Sequence, residues 1–124
     1  MRLSEFELDM MAHFWRDGSL SAPELFERFG DARGVTYSTV KTIVDRLEEK
    51  GAIERVSSRG RTIFYAPVIK QERIRKPLVK SFLRRLFGND LRPLFTQLLR
   101  DEKLSDDELD YLERLVEETR RRQK

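Results

Sequence analysis

At Gly51 the apolar residues of this chain change period. Before it, Val40, Ile43, Val44 and Leu47 recur at the three-and-four spacing of one helix face. After it, Ala52–Val56 and Thr62–Ala66 form two short β-branched and aromatic runs joined by Ser57-Ser58-Arg59-Gly60-Arg61. A 3.6-residue period cannot lie on one face of a sheet, nor a two-residue period on one face of a helix. The chain is therefore predicted to end a helix near Lys50 and turn directly into a β-hairpin.

Two further helices precede that one, and all three open with the same device. A hydrophobic residue is followed by a hydroxyl residue, with an apolar residue four positions beyond the hydroxyl: Leu3-Ser4…Leu8, Leu20-Ser21…Leu25 and Val35-Thr36…Val40. The hydroxyl can accept a free backbone N–H of the first turn while the apolar pair clamps the entry. Glu7 and Glu24 complete capping boxes with Ser4 and Ser21, and Pro23 falls in a first turn, where its missing N–H costs no helical bond. The first helix is predicted to run to about Gly18 with Leu8, Met11, Ala12 and Trp15 inward, widened by Phe6, Met10 and Phe14. The second spans about 21–29, with Leu25, Phe26 and Phe29 inward and a stop at Gly30.

Beyond Pro67, residues 70–87 carry a helical pattern in which Pro77 is expected to kink the helix or delay its start. Asn89 or Asp90 can cap a short helix through Leu94, Phe95, Leu98 and Leu99. Leu104-Ser105-Asp106-Asp107-Glu108-Leu109 repeats the helix-start device for a last helix with Leu109, Leu112, Leu115 and Val116 inward, and the tail 120–124 is expected to fray. The predicted fold is mainly α with a small β-hairpin wing: a winged helix-turn-helix over residues 1–68, then a helical dimerisation segment over 69–124. Three short helices in about 50 residues cannot bury their apolar stripes alone, so a homodimer is predicted through Leu98, Leu109, Leu112 and Val116.

Composition limits the chemistry. With 39% hydrophobic and 38% charged residues in 124, the chain can fold as one or two small domains. It has no cysteine, hence no disulfide, thiol nucleophile or thiolate metal site, and no apolar run near the ~20 residues that span a bilayer. A cytoplasmic protein is expected. The one histidine, His13, sits between Ala12 and Phe14 and is read as a structural residue; no P-loop, His-Glu-x-x-His or dinucleotide fingerprint is present. Asp106, Asp107, Glu108 and Asp110 suit the first turn of a helix, where the macrodipole favours acids. No enzyme, metal or cofactor is predicted.

Charge separates the segments. Residues 1–31 hold three bases against seven acids, a net −4. Residues 36–65 hold six against four, a net +2, and residues 70–85 seven against one, a net +6. An anionic partner should meet the second and third of these. Opposite the apolar stripe of the third helix lie Ser38, Thr39, Lys41, Thr42, Asp45 and Arg46. Hydroxyls and cations there can reach base edges in a major groove, and the same residues also suit a solvated surface face. The wing tip offers Arg59 and Arg61 around Gly60, suited to a phosphate strand or to an ordinary polar turn. Tyr37 can bond a phosphate or form part of the helix rim.

Taken together, the sequence resembles the penicillinase-repressor family of bacterial regulators, the BlaI/MecI/CopY group. The resemblance rests on the Leu8–Trp15 segment, on Thr36-Tyr37-Ser38-Thr39-Val40-Lys41-Thr42 with Arg46-Leu47-Glu48-Glu49-Lys50-Gly51, and on Gly60-Arg61 with Phe64-Tyr65-Ala66-Pro67. Leu86-Phe87-Gly88 and Leu104–Leu109 add to it. It implies a homodimeric repressor on an inverted repeat with TACA/TGTA-type half-sites, controlling resistance, metal-export or envelope-stress genes. It also implies a recognition helix at 38–50, with Ser38, Thr39, Lys41, Thr42 and Arg46 as its DNA-binding positions. Copper-responsive members end in a cysteine-rich hook, which this chain lacks, so copper or zinc should leave operator affinity unchanged. A regulatory protease cuts an Asn-Phe bond in β-lactam-responsive members, and the matching positions here are Gln97-Leu98. The competing readings are a winged-helix protein-interaction module and a nonspecific architectural DNA-binding protein.

Overall fold

The computed structural model describes residues 1–124, which divide into two compact units, Met1–Leu78 and Val79–Lys124. The boundary expected between residues 68 and 69 lies just ahead of a helix, α4 (Gln71–Phe87), that crosses from one unit to the other.

In the first unit, α1 (Glu5–Asp17) begins at a complete capping box. Ser4 Oγ accepts the Glu7 N–H at 3.1 Å, and the Ser4 N–H donates to Glu7 Oε1 at 2.7 Å. Of the residues expected inward on α1, Met10, Met11 and Phe14 are buried, whereas Leu8 and Trp15 are half-buried and Ala12 is exposed; Glu7 completes the buried face. The face is centred one residue earlier, about 100° of rotation, than the Leu8, Met11, Ala12 and Trp15 stripe by itself would place it. The true stripe includes a glutamate, which an apolar pattern does not register. Glu7 remains buried because Lys50 Nζ reaches its Oε1 at 2.7 Å while also donating to the Arg2 carbonyl at 2.8 Å.

A two-residue strand, β1 (Leu20–Ser21), follows, and Ser21 then caps α2 (Ala22–Leu25) through a box with Glu24. The helix continues as one wider π-helical turn, Phe26–Gly30, where the Asp31 N–H reaches the Phe26 carbonyl at 2.9 Å. Gly30 is needed for a close approach: a Cβ there would stand 2.7 Å from Val40 Cγ2 and 3.0 Å from Phe26 Cδ1. Thr36 caps α3 (Tyr37–Glu49), whose Val40, Ile43, Val44 and Leu47 are buried as their spacing predicts.

The wing strands are longer than the sequence suggests. β2 (Ile53–Arg59) and β3 (Thr62–Pro67) pair through Arg59 and Thr62, leaving only Gly60-Arg61 as the turn, with Gly60 at φ +58°. A bulge at Val56, between the Arg55–Tyr65 and Ser57–Phe64 pairs, lets the long hairpin twist. β1 adds to β3 through Leu20–Tyr65 and Ser21–Phe64, so the sheet has three strands in the order β1-β3-β2. The core of this unit draws on α1, β1, α2, the π-helical turn, α3, β2 and β3. Trp15 Nε1 donates to the Ile69 carbonyl at 2.9 Å, fastening the exit of the wing to α1.

α4 starts at Gln71, without the delayed start that Pro77 could have imposed, and continues as one helix through it. In the second unit, α5 (Arg92–Asp101) starts from Leu91, and Asp90 Oδ1 accepts the Arg92 N–H at 3.1 Å. α6 (Asp106–Arg122) begins at the Ser105–Glu108 capping box and stays helical to Arg122, where fraying was expected from Arg120. No residue of α4, α5 or α6 is buried.

Candidate nucleic-acid interface

α3 turns its apolar stripe into the core, and this leaves the opposite face to solvent. Tyr37, Ser38, Thr39, Thr42 and Arg46 are exposed and Lys41 is half-buried. The start of the helix is rigid: Thr36 Oγ1 accepts the Thr39 N–H at 3.2 Å and lies 3.1 Å from Thr39 Oγ1. Thr42 Oγ1 donates to the Ser38 carbonyl at 3.0 Å, which satisfies its proton and leaves the oxygen able to accept. Tyr37 stands edge-on to Phe26 with ring centroids 6.1 Å apart. Its ring is thereby placed, with 43% of the residue exposed.

The cations of this face differ in availability. Arg46, Arg59 and Arg61 are exposed and form no ion pair. Arg55 instead pairs with Glu48, Nε to Oε2 at 2.8 Å, which raises its pKa above the ordinary arginine value. Lys41 pairs with Asp45 at 2.5 Å; that hydrogen bond is the main cause of a pKa above the ordinary lysine value. The structure thus brings Tyr37, Ser38, Thr39, Lys41, Thr42 and Arg46 onto one helix. Arg59 and Arg61 lie at the hairpin end, Arg59 as the last residue of β2 and Arg61 as the second residue of the Gly60-Arg61 turn.

Sequence reasoning did not single out Tyr65. This residue is 1% exposed on the central strand β3, and its hydroxyl is buried without a hydrogen-bond partner. The Phe64-Tyr65-Ala66-Pro67 run was the one available signal, and it marked a strand end more than a site. His13 is half-buried and stacks on Phe29 with centroids 4.9 Å apart. Burial first, then the Arg16 charge, lowers its pKa below the ordinary histidine value.

In the second unit, the four residues expected at a dimer contact are all partly exposed: Leu98 by 41%, Leu109 by 37%, Leu112 by 40% and Val116 by 46%. Leu98, Leu112 and Val116 line an apolar groove of about 720 Å³ between α5 and α6, with Phe95, Leu99 and Leu115. No helix of the chain is long and apolar enough to cross a membrane.

Comparison with known proteins supplies the context for this arrangement. The family model described as penicillinase repressor matches residues 3–118. The penicillinase repressor of Staphylococcus aureus is 30% identical over 112 residues, covering 90% of this chain and 88% of its own length. That of Bacillus licheniformis is 27% identical over 123 residues, covering 99% and 95%. Among solved structures, the DNA-binding domain of the repressor BlaI superposes with a TM-score of 0.51 at 27% identity. That match covers 56% of this chain and 84% of that domain.

Proposed function

The chain belongs to the penicillinase repressor family and is a DNA-binding transcriptional repressor; we propose that it works as a homodimer on an inverted-repeat operator, in the cytoplasm and without catalysis of its own. The observation that carries the homodimer is the absence of any buried residue from α4, α5 and α6, although α5 and α6 form an apolar groove. Apolar stripes at helical spacing are stable in water when another surface covers them, and a second copy presents the same surface with two-fold symmetry. Two winged units held in that way read two half-sites, so the operator repeats the symmetry of the protein.

Within each unit, α3 enters the major groove. Ser38, Thr39, Thr42 and Arg46 face base edges, while Tyr37, Arg59 and Arg61 hold the sugar-phosphate strands. The residue ranges 1–68 for DNA reading and 69–124 for dimerisation follow this division of work. Release from DNA would follow from loss of the dimer. Gln97-Leu98 lies within α5, and a regulatory protease cutting there would detach α6 from the groove it forms with α5.

Sequencing duplex fragments retained by the purified protein identifies the operator. Competition at fixed salt should then show a preference of about 10³-fold or more over random duplex. Equal binding to random duplex would make it an architectural protein, and no duplex binding would make it a protein-interaction module.

A further inference from the structure

A recess of about 130 Å³ opens between the start of α3 and the wing, lined by Tyr37, Lys41, Arg61 and Tyr65, with Ala22 and Pro23 of α2 beside them. Tyr65 is the informative member. A phenol buried to this degree ordinarily finds a partner, because an unsatisfied O–H loses its hydration without compensation. Here no protein atom meets strict hydrogen-bonding geometry with the hydroxyl, although Tyr65 is 1% exposed and fixed from both sides by pairing with Leu20 and Arg55; its one polar neighbour is the Lys41 ammonium, whose pKa it helps to raise. The polar side chains lining the recess can all donate: the Tyr37 and Tyr65 phenols, the Thr62 hydroxyl, the Lys41 ammonium and the Arg61 guanidinium. No carboxylate lines the recess. Asp45 lies outside that lining and holds Lys41 at 2.5 Å.

A site made of convergent donors and cations suits a group that only accepts, namely a tetrahedral oxyanion. Tyr37 and Lys41 are four residues apart and share the flank of α3 toward the wing. Ser38, Thr42 and Arg46 follow one another along the adjacent flank. Lys41 thus lies on the flank that faces the wing residues Arg61 and Tyr65.

We propose that this recess seats one backbone phosphate of duplex DNA, held by the Tyr65 hydroxyl and the Lys41 ammonium. The two residues fix the height and tilt of α3 over the groove and carry no base preference. The inference rests on the repressor reading above and deepens it.

The test measures dissociation constants for the retained operator duplex and for a random duplex of equal length, over a series of salt concentrations. Tyr65→Phe should weaken both about tenfold, the scale of one hydrogen bond to a charged group, with an unchanged salt slope because no charge is lost. Its thermal midpoint should change little, since the hydroxyl's one polar neighbour in the free protein is Lys41, which Asp45 already holds. Lys41→Gln should weaken both duplexes and lower the salt slope by about 0.9, the share of one phosphate. If wild-type protein binds duplex and Tyr65→Phe binds both duplexes equally well, the recess holds no phosphate and the proposal falls while the repressor reading stands. A loss confined to the operator would make Tyr65 part of base readout and would also overturn it. Inorganic phosphate at constant ionic strength separates the remaining source. Stabilisation by millimolar phosphate that Tyr65→Phe abolishes, with DNA affinity unaltered, would assign the recess to a free anion. Wild-type protein that binds no duplex would sink both readings.

Discussion

Gly30→Ala adds a single methyl group where the π-helical turn meets α3. Its Cβ would lie 2.7 Å from Val40 Cγ2 and 3.0 Å from Phe26 Cδ1, inside the range of ordinary carbon contacts. Val40 is completely buried and β-branched, so it has no free rotamer into which to retreat. Overpacking of this kind costs about 1–3 kcal/mol. Alanine recovers about 0.4–1 kcal/mol by restricting the unfolded chain, because Gly30 does not have a positive φ and alanine can adopt its backbone. The balance is a loss of about 1–2 kcal/mol, near 4–8 °C per kcal/mol in a unit of this size. Urea unfolding followed by far-UV circular dichroism measures it, and a double-mutant cycle with Val40→Ala assigns it. Removing the Val40 methyls makes room for the new one, so the pair should couple by at least ~1 kcal/mol in the sense of relief. DNA affinity should fall further than stability, since Val40 can yield only by moving α3. A Gly30→Ala protein as stable as wild type, with additive behaviour in the cycle, would show that the turn relaxes without strain and that the close approach does not matter.

Three other measurements bear on the interface and its support. Burial raises the Glu7 pKa, but hydrogen bonds from Lys50 and Ser4, with the Lys50 charge, outweigh it and hold the carboxyl below its ordinary 4.5. Its contribution should therefore be complete above about pH 4.5 and disappear as pH falls through the lower folded value; Glu7→Gln should remove that acid dependence and cost about 1–3 kcal/mol at neutral pH by urea titration. Thr42→Ala should relax base preference at one operator position by about 1–3 kcal/mol, whereas Arg59→Ala and Arg61→Ala should weaken operator and random duplex alike; the reverse pattern in competition binding would exchange the roles of helix and wing. Leu98→Asp with Leu112→Asp should yield a monomer by light scattering at micromolar concentration that binds the full operator no better than a half-site, and a double variant that still dimerises would move the subunit contact elsewhere.

Much of this architecture is legible because local chemistry and tertiary packing agree. Ser4, Ser21 and Ser105 each close a capping box with the glutamate three residues on, a bond that depends on neither the core nor a partner. The α3 stripe was equally plain, since all four inward positions are aliphatic. Misreading began where a residue serves a distant neighbour. Leu20 looks like a clamp for the second helix, but it also pairs with Tyr65 in a strand too short to show a period. Glu7 hid the true face of α1 because its cation comes from Lys50, more than forty positions along the chain. Gly30 reads as a helix stop, and its actual service is to let Val40 approach. The candidate interface divides in the same way: the polar face of α3 follows from its spacing, whereas the Tyr65 recess exists only once β3 has passed beside α2 and α3.

The Trp15–Ile69 hydrogen bond makes the chain's single tryptophan a built-in optical reporter. Its indole is half-buried and bonded where the polypeptide leaves the wing, so its emission registers whether that junction is closed. Ellipticity at 222 nm (about) sums every helix, including α5 and α6, whereas this fluorophore senses the first unit alone. Two spectra from one cuvette can thus separate the melting of the first unit from that of α5 and α6, without a label and without altering a residue.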